Sequence, residues 1–334
     1  MIDSRSKIRL IEKALDKLAP LEKCCTLCPR NCRVDRTRGE KGVCQTGSRA
    51  AVSHALLHFG EEPALSGTTA GASGREPSGA GGRFGSGTVF FTGCSLKCLF
   101  CQNYQLSWLL EGEPVTDEEL AGMMLGLQTK GALNINLVSP THVVLPVLRA
   151  LKIACSEGLR IPLVWNSNGY DSLEVVQALE GVVDIYLPDL KYLSPEISKK
   201  YSGAADYFEH ASAALREMSV QQPVLKLGPG EAARRGLIVR HLILPGCAAD
   251  SMAVLEWIRE NLSPFIGLSL MSQYHPCFKA PGEIQRHLAA EEYRPVADLA
   301  VRLGFEHLFL QPEPFGSDDH LVPDFRKKEP FRWK

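Results

Sequence analysis

From residue 88 onward the chain repeats one pattern, a short apolar run, a turn and then an amphipathic stretch. The apolar runs are 88–92, 133–138, 162–166, 184–188, 237–244, 266–272 and 307–311. The amphipathic stretches are roughly 116–130, 141–157, 172–180, 195–218, 252–261 and 289–303. Strands alternating with helices imply parallel βαβ units, whose crossovers are right-handed because a twisted strand feeds a right-handed helix back onto the sheet only that way. The expected fold class is α/β, a partial (β/α)6 barrel of the TIM type, with a doubly wound open sheet as the competing arrangement. In both, chemistry gathers where strands reach their carboxyl ends.

Composition narrows the partners. Charged residues make up 22% of the 334 and the formal net charge is −1, so no global field favours nucleic acid or an acidic membrane. No apolar run approaches the ~20 residues that span a bilayer. The opening MIDSRSKIRLIEKALDKLAP carries charges through a helical stripe rather than the apolar core of a signal peptide. A cytoplasmic location is expected, with no membrane partner. The expected organisation is an N-terminal helix and cysteine-rich metal-binding segment (1–66), a Gly-rich loop (67–87), the barrel (88–315) and a C-terminal tail (316–334).

Eleven cysteines are many for a cytosolic chain, and eight of them fall between Cys24 and Cys101. Disulfides are disfavoured in that compartment, so clustered thiols point to metal or redox chemistry. Cys155, Cys247 and Cys277 are scattered and read as small buried residues. The decisive spacing follows the first barrel strand: TVFFTG runs into CSLKCLFCQN, placing Cys94, Cys98 and Cys101 together. A cubane has four irons, each needing one ligand beyond its sulfides. Three thiolates leave one iron open, the feature that separates catalytic from closed structural metal sites. A zinc knuckle completed by a distant cysteine such as Cys44 is the plainer alternative.

Cx3CxΦC with an aromatic Φ, here Phe100, resembles the signature of the radical S-adenosylmethionine (SAM) superfamily. The resemblance implies a 4Fe–4S cluster, SAM and a partial barrel, with Phe100 near the adenine. CQNYQLS is similar to the glycyl-radical-enzyme activases typified by pyruvate formate-lyase activating enzyme, and adds Asn103 as a residue orienting substrate or SAM. NINLVSPTH stands where activases carry a Gly-Gly-Glu-Pro-like turn; Asn134, Asn136, Ser139 and Thr141 are the replacements the resemblance implies. WNSNGY offers Asn166 and Ser167 as SAM contacts. DIYLPDLKY places Asp189 and Lys191 near the ribose and carboxylate of SAM. VRHLILPG and SQYHP contribute Arg240 and His275. Together with CTLCPRNC, these motifs resemble the PflX-like group of activase relatives over nearly the whole chain.

Cys25, Cys28, Cys32 and Cys44 offer four thiolates, with Cys24 as a spare. Four close a tetrahedron around zinc or hold a second 4Fe–4S cluster, and the spacing leaves both open. The implied activity is reductive cleavage of SAM to a 5′-deoxyadenosyl radical for hydrogen abstraction. Its target is a glycine on a partner glycyl radical enzyme or, alternatively, a small molecule or peptide. A non-catalytic iron–sulfur carrier or zinc-stabilised binding module is the reading from another class. The chain carries no flavin or nicotinamide fingerprint, so a flavodoxin or ferredoxin is the expected electron donor.

Overall fold

The computed structural model describes residues 4–67, 84–312 and 321–331. Most of the expected Gly-rich loop, 68–83, and residues 313–320 and 332–334 lie outside them. The strands in chain order are β1 (Ala51–His58), β2 (Ser86–Phe91), β3 (Glu113–Pro114), β4 (Ile135–Val138), β5 (Leu163–Ser167), β6 (Ile185–Pro188), β7 (Lys226–Leu227), β8 (Ala233–Leu242), β9 (Gly267–Met271) and β10 (His307–Leu310). Their spatial order is β10-β9-β8-β6-β5-β4-β2-β1-β3, with β7 paired to β8. The run from β2 to β10 is parallel throughout, so the seven apolar runs of the sequence are its seven parallel strands. The path does not close on itself: this is an α/β fold with an unclosed sheet, a partial barrel.

The strands read as near-continuous apolar segments because both faces are covered. β5, β6 and β9 are buried at every position. Helices pack outside. Asp117–Thr129 starts at a capping box in which Thr116 and Glu119 satisfy each other's backbone N–H groups. Val144–Ser156 buries Leu145, Val147, Leu148 and Leu151 along one side.

Two features depart from the sequence reading. The single helix expected over 195–218 is two helices, Pro195–Ser202 and Tyr207–Gln221. Gly203, at φ +59°, ends the first by donating its N–H to the Lys199 and Ser198 carbonyls, a left-handed cap that glycine adopts without a Cβ penalty. The second departure is β1, which pairs antiparallel with β2. Its exit leads the chain back inside the barrel through the short helix Pro63–Ser66. There Ala64 and Leu65 pack with Val164, Ile185, Leu187, Leu225 and Ile238 in a core of their own. A segment ahead of the barrel thus fills its interior.

Candidate active site

The three motif cysteines follow β2 through a turn at Gly93. Its φ is +82°, and a Cβ there would lie 2.5 Å from the Cys44 carbonyl oxygen and 2.6 Å from Thr46 Oγ1. Only glycine lets the loop approach the N-terminal knuckle this closely. Cys94, Cys98 and Cys101 line one end of a cavity of about 370 Å³. Each sulfur faces donors. Leu96 N–H and Asn168 Nδ2 each stand 3.4 Å from Cys94 Sγ. Ser202 Oγ is 3.1 Å from Cys98 Sγ, and Ser107 Oγ is 3.3 Å from Cys101 Sγ. The hydroxyl on Cys98 is thus supplied by the helix break at Gly203.

This donor set fits thiolates on iron, because N–H and O–H groups directed at sulfur stabilise its negative charge. No fourth cysteine lines the cavity. Cys277 Sγ instead faces the backbone carbonyls of Phe100 and Cys101, at 3.5 and 3.4 Å. Among the described residues no group of three or more His, Cys, Asp or Glu side chains is arranged to hold a single metal ion. Two thiolates on one tetrahedral zinc stand about 3.8 Å apart, given Zn–S bonds of about 2.3 Å. Thiolates on a cubane bind different irons and spread wider. Burial raises the thiol pKa of Cys98, and that of Cys101 to about 12; metal binding there displaces protons.

Residues from successive strand ends build the walls. Ser139 follows β4, Asn166 and Ser167 end β5, and Asp189 and Lys191 follow β6; all five line the cavity. Lys191 Nζ is 2.6 Å from Asp189 Oδ2. Burial works against its charge, but Asp189 and the neighbouring thiols outweigh it and raise the ammonium pKa. Ser167 lines the cavity yet donates to Asp171 Oδ2 at 2.5 Å. Asp171 is buried, which raises its pKa, and it also accepts from Thr141. This pair shapes the Asn-Ser-Asn-Gly turn, where a Cβ on Gly169 would meet the Asp189 carbonyl oxygen at 2.1 Å.

Phe100 and Asn103 also line the cavity, the Phe100 ring centroid lying 5.8 Å from that of Tyr274. Asn134, Asn136 and His275 are not in its lining. Asn134 bonds Ser86 and the Leu65 carbonyl. Asn136 donates to Glu61 at 3.0 Å. The His275 ring packs edge-on against His287, centroids 5.1 Å apart.

Arg240, expected from the sequence, does line the cavity, but its glutamate partners were not legible there. Arg240 on β8 binds Glu62 with Nε to Oε1 at 2.8 Å and Nη2 to Oε2 at 2.6 Å, and also pairs with Glu61. Both carboxylates come from the segment plugging the barrel. The Glu-Glu-Pro that opens the short helix was the available signal. Leu321, Pro323 and Phe331 of the C-terminal segment also line the cavity. The segment is held where Gln102 Nε2 donates to the Leu321 carbonyl and Phe325 N–H donates to Gln105 Oε1, at 2.9 and 2.6 Å.

Residues 88–225, the cysteine loop and the β2–β6 strand ends, match the family model of the radical SAM superfamily. This segment is similar to the radical SAM superfamily. The match implies a 4Fe–4S cluster and SAM as cofactors. Over 317 residues, 91% of this chain and 82% of the relative, the protein is 27% identical to an uncharacterized protein of Methanocaldococcus jannaschii. Among solved structures it is similar to Streptococcus suis SuiB at TM-score 0.49 and 14% identity, over 67% of this chain and 48% of SuiB. It is also similar to methylornithine synthase (PylB) at TM-score 0.43 and 17% identity, over 67% of this chain and 70% of that one. The alignment thus spans about half of SuiB. No helix among the described residues is long and apolar enough to cross a membrane.

The knuckle cysteines lie directly behind the motif loop. Cys25, Cys28 and Cys44 are buried, Cys32 is partly buried and Cys24 is exposed. Arg30, between Cys28 and Cys32, places its guanidinium against four backbone carbonyls. Nε meets Ser95 at 2.8 Å, Nη1 meets Gly203 at 2.7 Å, and Nη2 meets Leu96 and Ser202 at 2.9 Å each. Arg30 therefore ties the knuckle both to the cysteine loop and to the helix end that supplies Ser202.

Proposed function

We propose that this chain cleaves SAM reductively and directs the resulting 5′-deoxyadenosyl radical to abstract hydrogen from a small molecule or a peptide segment. The observation that carries the reading is a cavity with three thiols at one end, no fourth cysteine, and polar strand ends along its walls. Once bound at Cys94, Cys98 and Cys101, the cluster supplies the electron that breaks the sulfonium carbon–sulfur bond. The remaining work belongs to side chains. Lys191, held charged by Asp189, offers a cation to the carboxylate of SAM. Asn166, Ser139 and Asn103 offer amide and hydroxyl groups for its other polar atoms. Phe100 supplies an apolar face beside the cysteine loop. The C-terminal segment and the Arg240–glutamate floor limit water, which protects a reactive radical from side reactions.

A cavity of about 370 Å³ must admit SAM and the reacting group together. Pockets for drug-sized ligands span about 300–1,000 Å³, so the size favours a small substrate or a slender peptide over a folded domain. A glycine on a glycyl radical enzyme is the second target, carried by the CQNYQLS resemblance. The electron donor in this reading is a flavodoxin or ferredoxin.

The test is anaerobic reconstitution with iron, sulfide, SAM and a strong reductant. 5′-Deoxyadenosine and methionine are expected in equal amounts, and their loss is expected in Cys98→Ala. Absence of 5′-deoxyadenosine from a fully reconstituted protein would overturn the reading. Deuterium transfer into 5′-deoxyadenosine from labelled small molecules, peptides or a glycyl radical enzyme separates the targets.

A further inference from the structure

The knuckle repeats the local chemistry of the motif loop. In the motif loop, backbone N–H groups two residues on serve Cys94 and Cys101, from Leu96 and Asn103. In the knuckle, Leu27 N–H serves Cys25 and Arg30 N–H serves Cys28, again two residues on. Val43 N–H adds a contact to Cys32 Sγ at 3.4 Å. Cys32 and Cys44 are electrostatic neighbours of both Cys25 and Cys28, and Cys25 of Cys28; Cys24 is exposed. Gly42 packs where a Cβ would meet Cys32 Sγ at 2.6 Å, so the chain folds tightly over that sulfur.

An independent observation lies beside these thiols. Arg36 is 3% exposed, and its Nε has no hydrogen-bond partner. It lies within electrostatic reach of the Cys25 sulfur. Glu22 offers it a nearby carboxylate, but the buried Nε is still without a partner, which is costly next to neutral thiols. Next to a metal held by four thiolates it is matched, because such a centre carries net negative charge whether it is zinc or a cubane. As the four sulfurs stand they form no single-ion site, which favours the wider cubane.

We propose that Cys25, Cys28, Cys32 and Cys44 hold a second 4Fe–4S cluster, fully ligated by protein, with Arg36 as its counter-charge. Four thiolates leave no open iron, so this centre does not take SAM. Arg30, anchored between two of its ligands, and the Gly93 contact with Cys44 hold it against the motif loop. Its position makes it the anchor from which that loop is suspended. The inference draws on the proposed function only in assigning the first cluster to the motif loop.

The experiment counts metal with the first site removed. Cys94→Ala/Cys98→Ala/Cys101→Ala is prepared anaerobically and reconstituted. About four iron and four sulfide per chain are expected to remain, and adding Cys28→Ala/Cys44→Ala is expected to remove them. One zinc per chain, or no metal, would overturn the cubane. Should the triple variant fail to fold, reconstituted wild-type protein decides: about eight iron per chain is expected, and about four overturns the inference. A wild type holding eight irons yet yielding no 5′-deoxyadenosine would defeat the proposed function while leaving the second cluster standing. In Arg36→Met, a selective loss of about half the iron is expected, with the first cluster retained; undiminished iron would remove Arg36 from the argument.

Discussion

Arg30→Met removes a guanidinium and keeps most of the aliphatic stem. Four carbonyls lose a charged donor at 2.7–2.9 Å: Ser95, Leu96, Ser202 and Gly203. Hydrogen bonds to charged groups contribute about 1.5–3 kcal/mol each, so the four together would amount to about 6 kcal/mol at the low end if none were replaced by water. The side chain is partly exposed and the Nη1 contact is at the surface, so water replaces part of what is lost. A net destabilisation of about 3–4 kcal/mol follows. Arg30→Lys retains the charge but brings one ammonium where a planar fork met four acceptors, so about half of that loss is expected. The assay is denaturant unfolding of the metal-free, reduced protein, read as a midpoint shift at constant slope. Because Ser202 Oγ is fixed beside Cys98 Sγ, a second readout is the alkylation rate of Cys98 in the metal-free protein, expected to rise in Arg30→Met. A midpoint within about 1 kcal/mol of wild type, together with an unchanged alkylation rate, would refute the claim that Arg30 joins the knuckle to the motif loop.

At the cavity floor, Arg240→Met leaves Glu61 and Glu62 buried without their cation. Breaking a buried pair from one side costs about 3–5 kcal/mol, and an unchanged unfolding midpoint would count against the floor as described. His142 is buried, which lowers its pKa to about 4 despite a hydrogen bond to the Thr92 carbonyl, and Arg36 and Lys97 lower it further. The unfolded chain takes up a proton near pH 6.5 that the folded chain refuses until about pH 4, so stability falls as pH drops through that window. The loss reaches about 3 kcal/mol at its lower end, at about 1.4 kcal/mol per unit, and His142→Gln should flatten the dependence between pH 6.5 and 4 in pH-dependent unfolding.

What was readable early was local. The seven parallel strands were visible as apolar runs because each is buried on both faces and needs no partner to look apolar. The helix break at Gly203 was missed although its signal was present, a glycine directly after a last turn carrying Lys199 and Lys200. Ser139, Asn166, Asp189 and Lys191 reach the cavity because they stand at or just beyond strand ends. Asn134 and Asn136 sit earlier on the chain, and their amides are taken up by the plug, through Leu65 and Glu61. His275 lies in a long connection whose path no periodicity announces.

The amino-acid sequence alone carried the thiol spacing and the alternation of strand and helix. Thiol spacing over eight residues and apolar periodicity over five are short-range properties, set by covalent reach and by burial. Only the tertiary structure decided that Glu61 and Glu62 neutralise Arg240 from 179 and 178 residues away. The same holds for Arg30, which crosses 173 residues to reach Gly203, and for the C-terminal segment on the cavity wall. Those contacts join charges and carbonyls brought together as the unclosed sheet curls around its plug, and neither partner's local sequence carries information about the other.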